Sequence, residues 1–162
     1  MIEILIGTIA SGKSMYCKRR ASEGAVIIND DSIVLAVHGG NYLLYDKELK
    51  PLYKTIELAI FSSAALLKRD VIIDRGLSLT RESRLRWIGL AKSFDLPIHA
   101  RVFEFASPYE HAKRRFKSND RGLSLLVWWL VVLRHKRIYS PPLSNEGFDA
   151  IIEDKELHDV EI

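Results

Sequence analysis

The sequence predicts an α/β fold of three layers, in which a central parallel sheet of about five strands lies between helices. Short segments rich in β-branched residues alternate along the chain with longer segments of helical periodicity. The strand segments are continuous apolar runs, which is typical of parallel strands that are buried on both faces. Because 162 residues is the length of one ordinary domain, we expect residues 1–162 to form a single domain.

The strands are assigned from their composition. In chain order they have the sequences IEILI, AVIIN, DVIID, IHARVFEF and AIIE, at residues 2–6, 25–29, 70–74, 98–105 and 150–153. Isoleucine and valine dominate these runs and favour extended backbone. Ligands of such sheets bind at the carboxyl ends of the strands, so the residues that follow each strand are the first candidates for a site.

The helices are assigned from periodicity and from their start signals. They are predicted at residues 14–22, 51–69, 80–95, 108–118 and 123–137. Pro51 occupies a first turn, and Ser107 with Glu110 three residues later forms a capping box. In the helix at 80–95, an apolar face is predicted for Leu85, Ile88, Ala91 and Phe94.

A glycine-rich segment joins the first strand to the first helix. It has the sequence GTIASGKS over residues 7–14 and matches the pattern G-x-x-x-x-G-K-S. Glycines allow a turn in which backbone N–H groups surround a phosphate, and the following helix adds its N-terminus. We predict that ATP contacts this loop and the first helical turn at Gly7, Ala10, Ser11, Gly12, Lys13, Ser14 and Met15. A plain glycine turn is the alternative.

Acidic residues follow two of the strands. Asp30 is predicted to position and deprotonate an acceptor hydroxyl, and Asp31 is predicted to cap the next helix. Asp74 ends a buried strand and is expected either to bind Mg²⁺ or to cap the turn that follows. Together with the Ser14 hydroxyl, Asp74 forms the predicted magnesium site.

A basic segment, KRRFKSNDRG at residues 113–122, predicts a lid that extends over about 113–137. Arg121 lies at the break between two helices, where it would close over the β- and γ-phosphates and offset their charge. Arg115 is the second candidate for this role. Lys113 and Lys117 are expected to lie on a solvated helix face. Arg81, Arg84 and Arg86 either line an acceptor groove or lie on a solvated face as well.

The charge of the chain favours a polyanionic partner. The net charge is +3 and the isoelectric point is about 9.0. Because the last ten residues, EDKELHDVEI, are strongly acidic, the rest of the chain is more basic than the total. Nucleotide binding alone is the simpler explanation of this charge.

The longest apolar run, LLVWWLVVL at residues 125–133, is far shorter than the roughly 20 residues of a membrane span. The run is apolar on all sides, so we expect the sheet or a second subunit to cover it, and a homo-oligomer is one option. Stacking of Trp128 and Trp129 on a base is the alternative. Cys17 is the sole cysteine and cannot form an internal disulfide, which fits a cytoplasmic protein, in the host cytoplasm if a phage encodes it.

With these motifs, the chain resembles bacteriophage-type polynucleotide 5′-hydroxyl kinase domains and the wider group of small P-loop kinases. The resemblance rests on GTIASGKS, INDDS, VIIDRGLSLTRESRLRW, KRRFKSNDRG and YSPPLSNEGFDAII, at residues 7–14, 28–32, 71–87, 113–122 and 139–152. It implies that Lys13 and Ser14 hold ATP and Mg²⁺, that Asp30 is the general base and that Arg121 is the lid arginine. It also implies transfer of the γ-phosphate to a nucleic acid, DNA rather than RNA, at a 5′-hydroxyl or at a hydroxymethylated pyrimidine base.

One position departs from the pattern of these kinases. Polynucleotide kinases have an arginine three residues after the base aspartate, where it contacts the phosphate of the acceptor, and this chain has Ile33. The departure favours an alternative function, the phosphorylation of a nucleoside, a nucleotide or another small molecule. A third option, a nucleotide-dependent switch without kinase activity, lacks the N-K-x-D segment that reads guanine.

Overall fold

A computed structural model of the protein describes residues 1–76, 78–118 and 122–154. The strands in this part of the chain are β1 (Ile2–Ile6), β2 (Val26–Asn29), β3 (Val71–Asp74), β4 (Ile98–Phe103) and β5 (Ala150–Asp154). The α-helices are α1 (Lys13–Ser22), α2 (Asp30–Val37), α3 (Lys50–Leu66), α4 (Arg81–Ser93), α5 (Pro108–Lys117) and α6 (Leu125–Ile138). Short 3₁₀ helices span Tyr42–Leu44 and Ser144–Glu146.

The five strands form one parallel sheet in the order β2-β3-β1-β4-β5, which confirms the predicted fold class. β1 lies at the centre, and its Ile2 pairs with Val71 on one side and with Ile98 on the other. At the carboxyl edge, the register of β2 and β3 sets Asn29 beside Asp74. The loops that follow β1, β2 and β3 therefore meet at one edge of the sheet.

Helices cover both faces of the sheet. The alternate residues Ile2, Ile4 and Ile6 of β1 face a large apolar cluster that includes side chains of α2, α3 and α4. Leu5 faces the opposite side, where it packs with Tyr16 and Cys17 of α1. This alternation follows from the two-residue period of a strand and explains why β1 is buried along its whole length.

A buried ion pair fastens the segment after α6 to α4. The guanidinium of Arg84 donates to both carboxylate oxygens of Glu146, at 2.9 and 2.7 Å, and both side chains are fully buried. Arg84 also donates to the carbonyl oxygens of Ser78, Leu79 and Ser140. With these donors satisfied, Arg84 joins the loop after β3, helix α4 and the approach to β5.

This ion pair corrects one prediction for α4. Arg84 neither lines an acceptor groove nor lies on a solvated face, because Glu146 and the surrounding carbonyl groups bury it completely. The predicted apolar face of α4 is confirmed for Ile88, Ala91 and Phe94, which lie in or against the main cluster, and is wrong for Leu85, which is 43% exposed. The buried arginine takes the position on the helix that the sequence pattern gave to a leucine.

Several predicted boundaries differ by two or three residues. Helix α3 ends at Leu66 rather than at residue 69, because Lys68 adopts a left-handed conformation with φ of 53°. Helix α4 ends in the same way before Asp95, which also has φ of 53°. Strand β4 ends at Phe103 rather than at residue 105, since the chain turns there toward the capping box of α5.

The sheet does not cover α6, so one of the two partners predicted for this apolar helix is wrong. Helix α6 packs on α5, and this cluster buries Trp128 and Val132 together with Ala112. The other side of the run is open, with Leu126 62% and Leu130 53% exposed. Trp128 is a core residue of this two-helix cluster, which agrees with burial of the helix rather than with stacking on a base. No helix in the described part of the chain has the length and apolarity of a membrane span.

We expect Glu146→Ala to lower the free energy of unfolding by about 3–5 kcal/mol, because it leaves the Arg84 guanidinium buried without its anion. Urea denaturation measures this change. The control is Arg81→Ala, an exposed arginine of the same helix, which should change the free energy by less than about 0.5 kcal/mol. The double variant Arg84→Met/Glu146→Leu should be more stable than Glu146→Ala. A loss in Glu146→Ala no larger than that of the control would contradict this assignment.

Candidate active site

The loop of residues 7–14 has the backbone that its sequence predicts. Gly12 adopts a left-handed conformation with φ of 99°, which favours glycine, and α1 begins at the next residue. Gly7 is needed for a different reason. A Cβ atom at this position would lie 2.7 Å from Ser11 Oγ and 2.9 Å from the Cβ of Phe103. The loop therefore closes tightly over the end of β1.

Lys13 points back over the loop. Its Nζ donates to the carbonyl oxygens of Gly7 at 2.8 Å and of Thr8 at 2.6 Å. Burial lowers the pKa of this ammonium, and the nearby carboxylate of Asp74 opposes that shift. A phosphate that entered the loop would offer the ammonium a charged partner in place of two neutral carbonyls, and hydrogen bonds of that kind are stronger.

The N-terminus of α1 is suited to an anion. Among the described residues, none caps this end with a side-chain hydrogen bond, and the first turn has no acidic residue. Ser14 and Met15 are exposed there, as a contact with a ligand requires. The Met15 N–H donates to the carbonyl oxygen of Gly12, so this predicted contact already has a backbone partner.

Asp74 lies at the carboxyl end of β3 and is 8% exposed. The amide of Asn29 donates to its backbone oxygen at 3.1 Å and to Oδ2 at 3.3 Å. Cys17 of α1 lies near the same carboxylate, and burial together with Asp74 raises the pKa of its thiol to about 12. Asp74 is therefore close to α1, the helix that carries Ser14.

The donors near this edge fit a magnesium ion held largely by phosphate and water. The Ser14 hydroxyl and the Asp74 carboxylate are hard oxygen ligands of the type that Mg²⁺ prefers. In the described ranges, no group of three or more histidine, cysteine or acidic side chains has the geometry of a complete protein metal site.

Asp30 is the first residue of α2 and directly follows β2, the edge strand that pairs with β3. Its Oδ2 lies 3.5 Å from Nε of Arg75, the residue that follows Asp74. Burial raises the pKa of Asp30, and the Arg75 guanidinium opposes that shift. A raised pKa is one feature expected of a general base, so the role predicted for Asp30 stays a prediction.

The predicted cap of α2 is wrong. Asn29, rather than Asp31, occupies the N-cap, because its Oδ1 accepts the Ser32 N–H at 2.9 Å while Asp31 lies in the first helical turn. Asn29 thus caps one helix with its oxygen and fixes Asp74 with its nitrogen. The sequence offered a signal, since asparagine is among the preferred N-cap residues.

One histidine from each of the helices α5 and α6 contacts the loop. The His111 ring is 1% exposed; its Nε2 accepts the Ala106 N–H at 3.0 Å and its Nδ1 lies 3.3 Å from the Ala10 carbonyl oxygen. These partners fix a neutral ring that is protonated at Nδ1. His135 Nδ1 lies 3.0 Å from Thr8 Oγ1. Neither histidine belongs to a motif or has a metal-ligand spacing in the sequence, so no role was predicted for them.

The predicted lid arginines have different outcomes. Arg121 lies outside the described residues, so its role stays a prediction. Arg115 lies over the ring of Trp128 at 4.6 Å and donates to the Ser118 carbonyl oxygen at 3.0 Å. In this arrangement Arg115 stabilises the end of α5 and its contact with α6.

A carboxylate and two arginines form a cluster that was not predicted from the sequence. Glu57 of α3 is 1% exposed, and its Oε2 lies 3.3 Å from Arg75 Nη1 and 3.1 Å from Arg86 Nη1. Glu57 occurs between Tyr53 and Phe61 at four-residue spacing on the buried face of α3. A charged residue within an apolar stripe was the available signal.

Comparison with known proteins adds the family. A protein-family model described as an AAA domain matches residues 2–121. None of the curated proteins compared with the sequence matches it.

Solved structures share the fold at low identity. A candidate kinase from Chloroflexus aurantiacus is 15% identical with a TM-score of 0.63, over 94% of this chain and 83% of that one. Shikimate kinase from Acinetobacter baumannii is 15% identical with a TM-score of 0.55, over 96% and 84%. A gluconokinase from Sinorhizobium meliloti is 16% identical with a TM-score of 0.54, over 93% and 79%. These similarities establish the fold.

We expect the free energy of unfolding to fall as the pH decreases from about 6.5 to about 4, in part through His135. Burial, Lys13 and Arg134 lower the pKa of His135 to about 4, whereas an unfolded histidine has a pKa of about 6.5. Between these values the unfolded chain binds the additional proton, so acid favours unfolding. Urea titrations at several pH values measure the slope.

His135→Gln should reduce this pH dependence by at most about one proton per molecule. Thr8→Val should retain it, because burial of the ring, rather than its hydrogen bond, is the first cause of the shift. Equal slopes for the wild type and His135→Gln would show that His135 does not contribute.

Proposed function

We propose that this chain, which belongs to the AAA domain family, is an ATP-dependent kinase that phosphorylates a hydroxyl group of a small molecule. The observation that carries the proposal is the order of the strand ends. The loop with Lys13 follows β1, Asp74 ends the neighbouring β3, and Asp30 follows β2 on the far side of β3. Phosphate-binding and acceptor-activating groups thus lie along one edge of the sheet.

The assigned roles follow in-line phosphoryl transfer, in which positioning and electrostatics supply most of the rate. The loop and the N-terminus of α1 bind the phosphates, and Lys13 offsets the charge on the transferred group. Ser14 and Asp74 would hold Mg²⁺, which neutralises phosphate charge. Asp30 orients the acceptor hydroxyl and accepts its proton. Arg121 remains the proposed lid arginine on the strength of the sequence.

Position 33 supports a small acceptor. Ile33 is 5% exposed and packs in the main apolar cluster. Position 33 therefore offers neither a positive charge nor an accessible surface to a phosphate group of an acceptor. The similar structures include proteins named as shikimate kinase and gluconokinase, which act on small molecules by name. This favours the small-molecule function over the nucleic-acid function that the motif set implied.

A nucleic-acid kinase is the second candidate, and one surface feature favours it. Helices α5 and α6 carry exposed basic side chains, namely Lys113, Arg114, Lys117, Arg134, Lys136 and Arg137. A phosphate backbone is attracted to such a surface without any need for an arginine at position 33. The acceptor hydroxyl would then belong to a DNA end or to a hydroxymethylated base.

Label transfer from γ-labelled ATP distinguishes the candidates. The acceptors are a pool of small hydroxyl compounds and nucleosides, a 5′-hydroxyl oligonucleotide, and duplex DNA with 5-hydroxymethylpyrimidines, with Lys13→Ala as the inactive control. We expect label in the small-molecule pool. The rate of label transfer should change little between about 50 and about 200 mM salt, the range over which binding to a nucleic acid weakens strongly. Label on the nucleic acids alone, with a steep loss in salt, would establish the second candidate.

We expect Asp30→Asn to retain ATP affinity and to reduce kcat by about 10²- to 10⁴-fold, because an amide does not accept the proton of the acceptor hydroxyl. ATP affinity is measured by calorimetry and kcat by label transfer. The matched control is Asp31→Asn, which changes the adjacent carboxylate. If Asp31→Asn is inactive and Asp30→Asn is not, the base is Asp31.

A further inference from the structure

We propose that His111 is a positioning residue for the nucleotide phosphates. Its ring holds the peptide bond between Ala10 and Ser11 in the orientation that turns the Ser11 N–H toward a phosphate in the loop of residues 7–14. His111 itself does not contact the nucleotide. The inference rests on the part of the proposed function that places phosphates in this loop, and it does not depend on the acceptor.

Ala10 has an unusual backbone conformation. Its φ of 53° lies in the left-handed region, which is unfavourable for a residue with a Cβ atom. Glycine would adopt this conformation freely, but the sequence has alanine here. A strained residue of this kind persists only where its surroundings hold it, and such residues are concentrated at ligand sites. A contact from outside the loop therefore has to hold Ala10.

The His111 ring supplies this contact. Its Nδ1 lies 3.3 Å from the Ala10 carbonyl oxygen, and because a carbonyl oxygen only accepts, Nδ1 carries the proton. The Ala106 N–H donates to Nε2 at 3.0 Å, which requires the same tautomer. Burial lowers the pKa of His111, so the ring stays neutral near neutral pH and keeps this tautomer.

The start of α5 fixes the ring in turn. Ser107 and Glu110 form a capping box, in which the Ser107 hydroxyl accepts the Glu110 N–H and the Glu110 carboxylate accepts the Ser107 N–H. His111 is the next residue, and its side chain is 1% exposed. Because the ring is buried and both of its nitrogens have protein partners, His111 acts on the loop rather than on a ligand.

The direction of the Ala10 carbonyl group decides the direction of the next N–H. The peptide bond is trans, so its C=O and its N–H point in opposite directions. Since the carbonyl oxygen faces His111, the Ser11 N–H points away from this ring. Among the described residues, none accepts a hydrogen bond from the Ser11 N–H. An unpaired backbone donor in a loop of this type is suited to a phosphate oxygen.

Two substitutions separate the two hydrogen bonds of the ring. His111→Asn retains a donor near the position of Nδ1, and His111→Gln retains an acceptor near the position of Nε2. We expect His111→Gln to weaken the binding of tripolyphosphate with Mg²⁺ about three- to ten-fold, the effect of one lost hydrogen bond, and His111→Asn to weaken it less than about two-fold. Calorimetry measures both affinities. An equal loss in the two variants, or a larger loss in His111→Asn, would overturn the inference.

Tripolyphosphate is the probe because it has no nucleoside. Ser11 and His111 line a cavity together with Phe103 and Arg114, so a nucleoside bound there is the other way in which His111 could affect ATP. We expect the loss in His111→Gln to be the same for tripolyphosphate and for ATP. A loss for ATP alone would show that His111 acts on the nucleoside, and the inference would be wrong.

The matched control is His38→Gln. The His38 Nε2 lies 2.7 Å from the hydroxyl oxygen of Tyr53 in α3, so this histidine is also held by the protein but does not contact the loop. His38→Gln should bind tripolyphosphate as the wild type does, whereas Lys13→Ala should bind it poorly. A loss in His38→Gln as large as that in His111→Gln would contradict a specific role for His111.

NMR of the histidine rings gives a readout that needs no ligand and no variant. The nitrogen chemical shifts of His111 should show a protonated Nδ1 and an unprotonated Nε2 near neutral pH. The other tautomer would overturn the inference, because Nδ1 could not then donate to Ala10. If the wild type binds tripolyphosphate but labels no acceptor, the proposed kinase function fails while the role of His111 stands. If it binds neither tripolyphosphate nor ATP, both fail.

Discussion

The carboxyl edge of the sheet, where the candidate site lies, depends on charges that are buried together with their partners. Arg84 and Glu146 fasten the chain after α6 to α4, and Glu57 holds Arg75 at the end of β3. A buried charge without a partner is so unfavourable that each pair permits few arrangements of the segments that carry it. Loops that would otherwise be free to move are therefore fixed to helices, and the strand ends keep their spacing.

Most of the fold could be predicted from the sequence, because it depends on local signals. The apolar runs gave the five strands of the sheet, and the G-x-x-x-x-G-K-S segment gave the turn from β1 to α1. The predicted ends of α3 and α4 were less accurate, because Lys68 and Asp95 adopt left-handed conformations although neither is a glycine. Helix α6 was misjudged because composition does not indicate which side of an apolar helix finds a neighbour.

One part of the candidate site could also be predicted from the sequence, and another part could not. Residues of the phosphate loop are contiguous, so a motif identifies them, and Asp30 and Asp74 follow strands that the sequence reveals. Glu57, Arg75 and His135 make contacts with residues that are distant in the chain; Glu57 and Arg75, for example, are 18 positions apart. Such contacts depend on the tertiary structure, so no local motif indicates them. Arg84 shows the opposite error, since an arginine on a helix was taken for a surface residue and proved to be structural.

The environment of Cys17 has a practical consequence for studies of motion. Its thiol is buried against Asp74, and a pKa of about 12 leaves almost no thiolate near neutral pH. Since the thiolate is the reactive form, alkylating dyes should react slowly with the native chain. A single cysteine introduced at exposed Leu126 of α6 would then carry a fluorophore or spin label selectively, without removal of the native thiol. Any change in the position of α6 relative to the sheet then becomes measurable by spectroscopy in an otherwise unaltered protein.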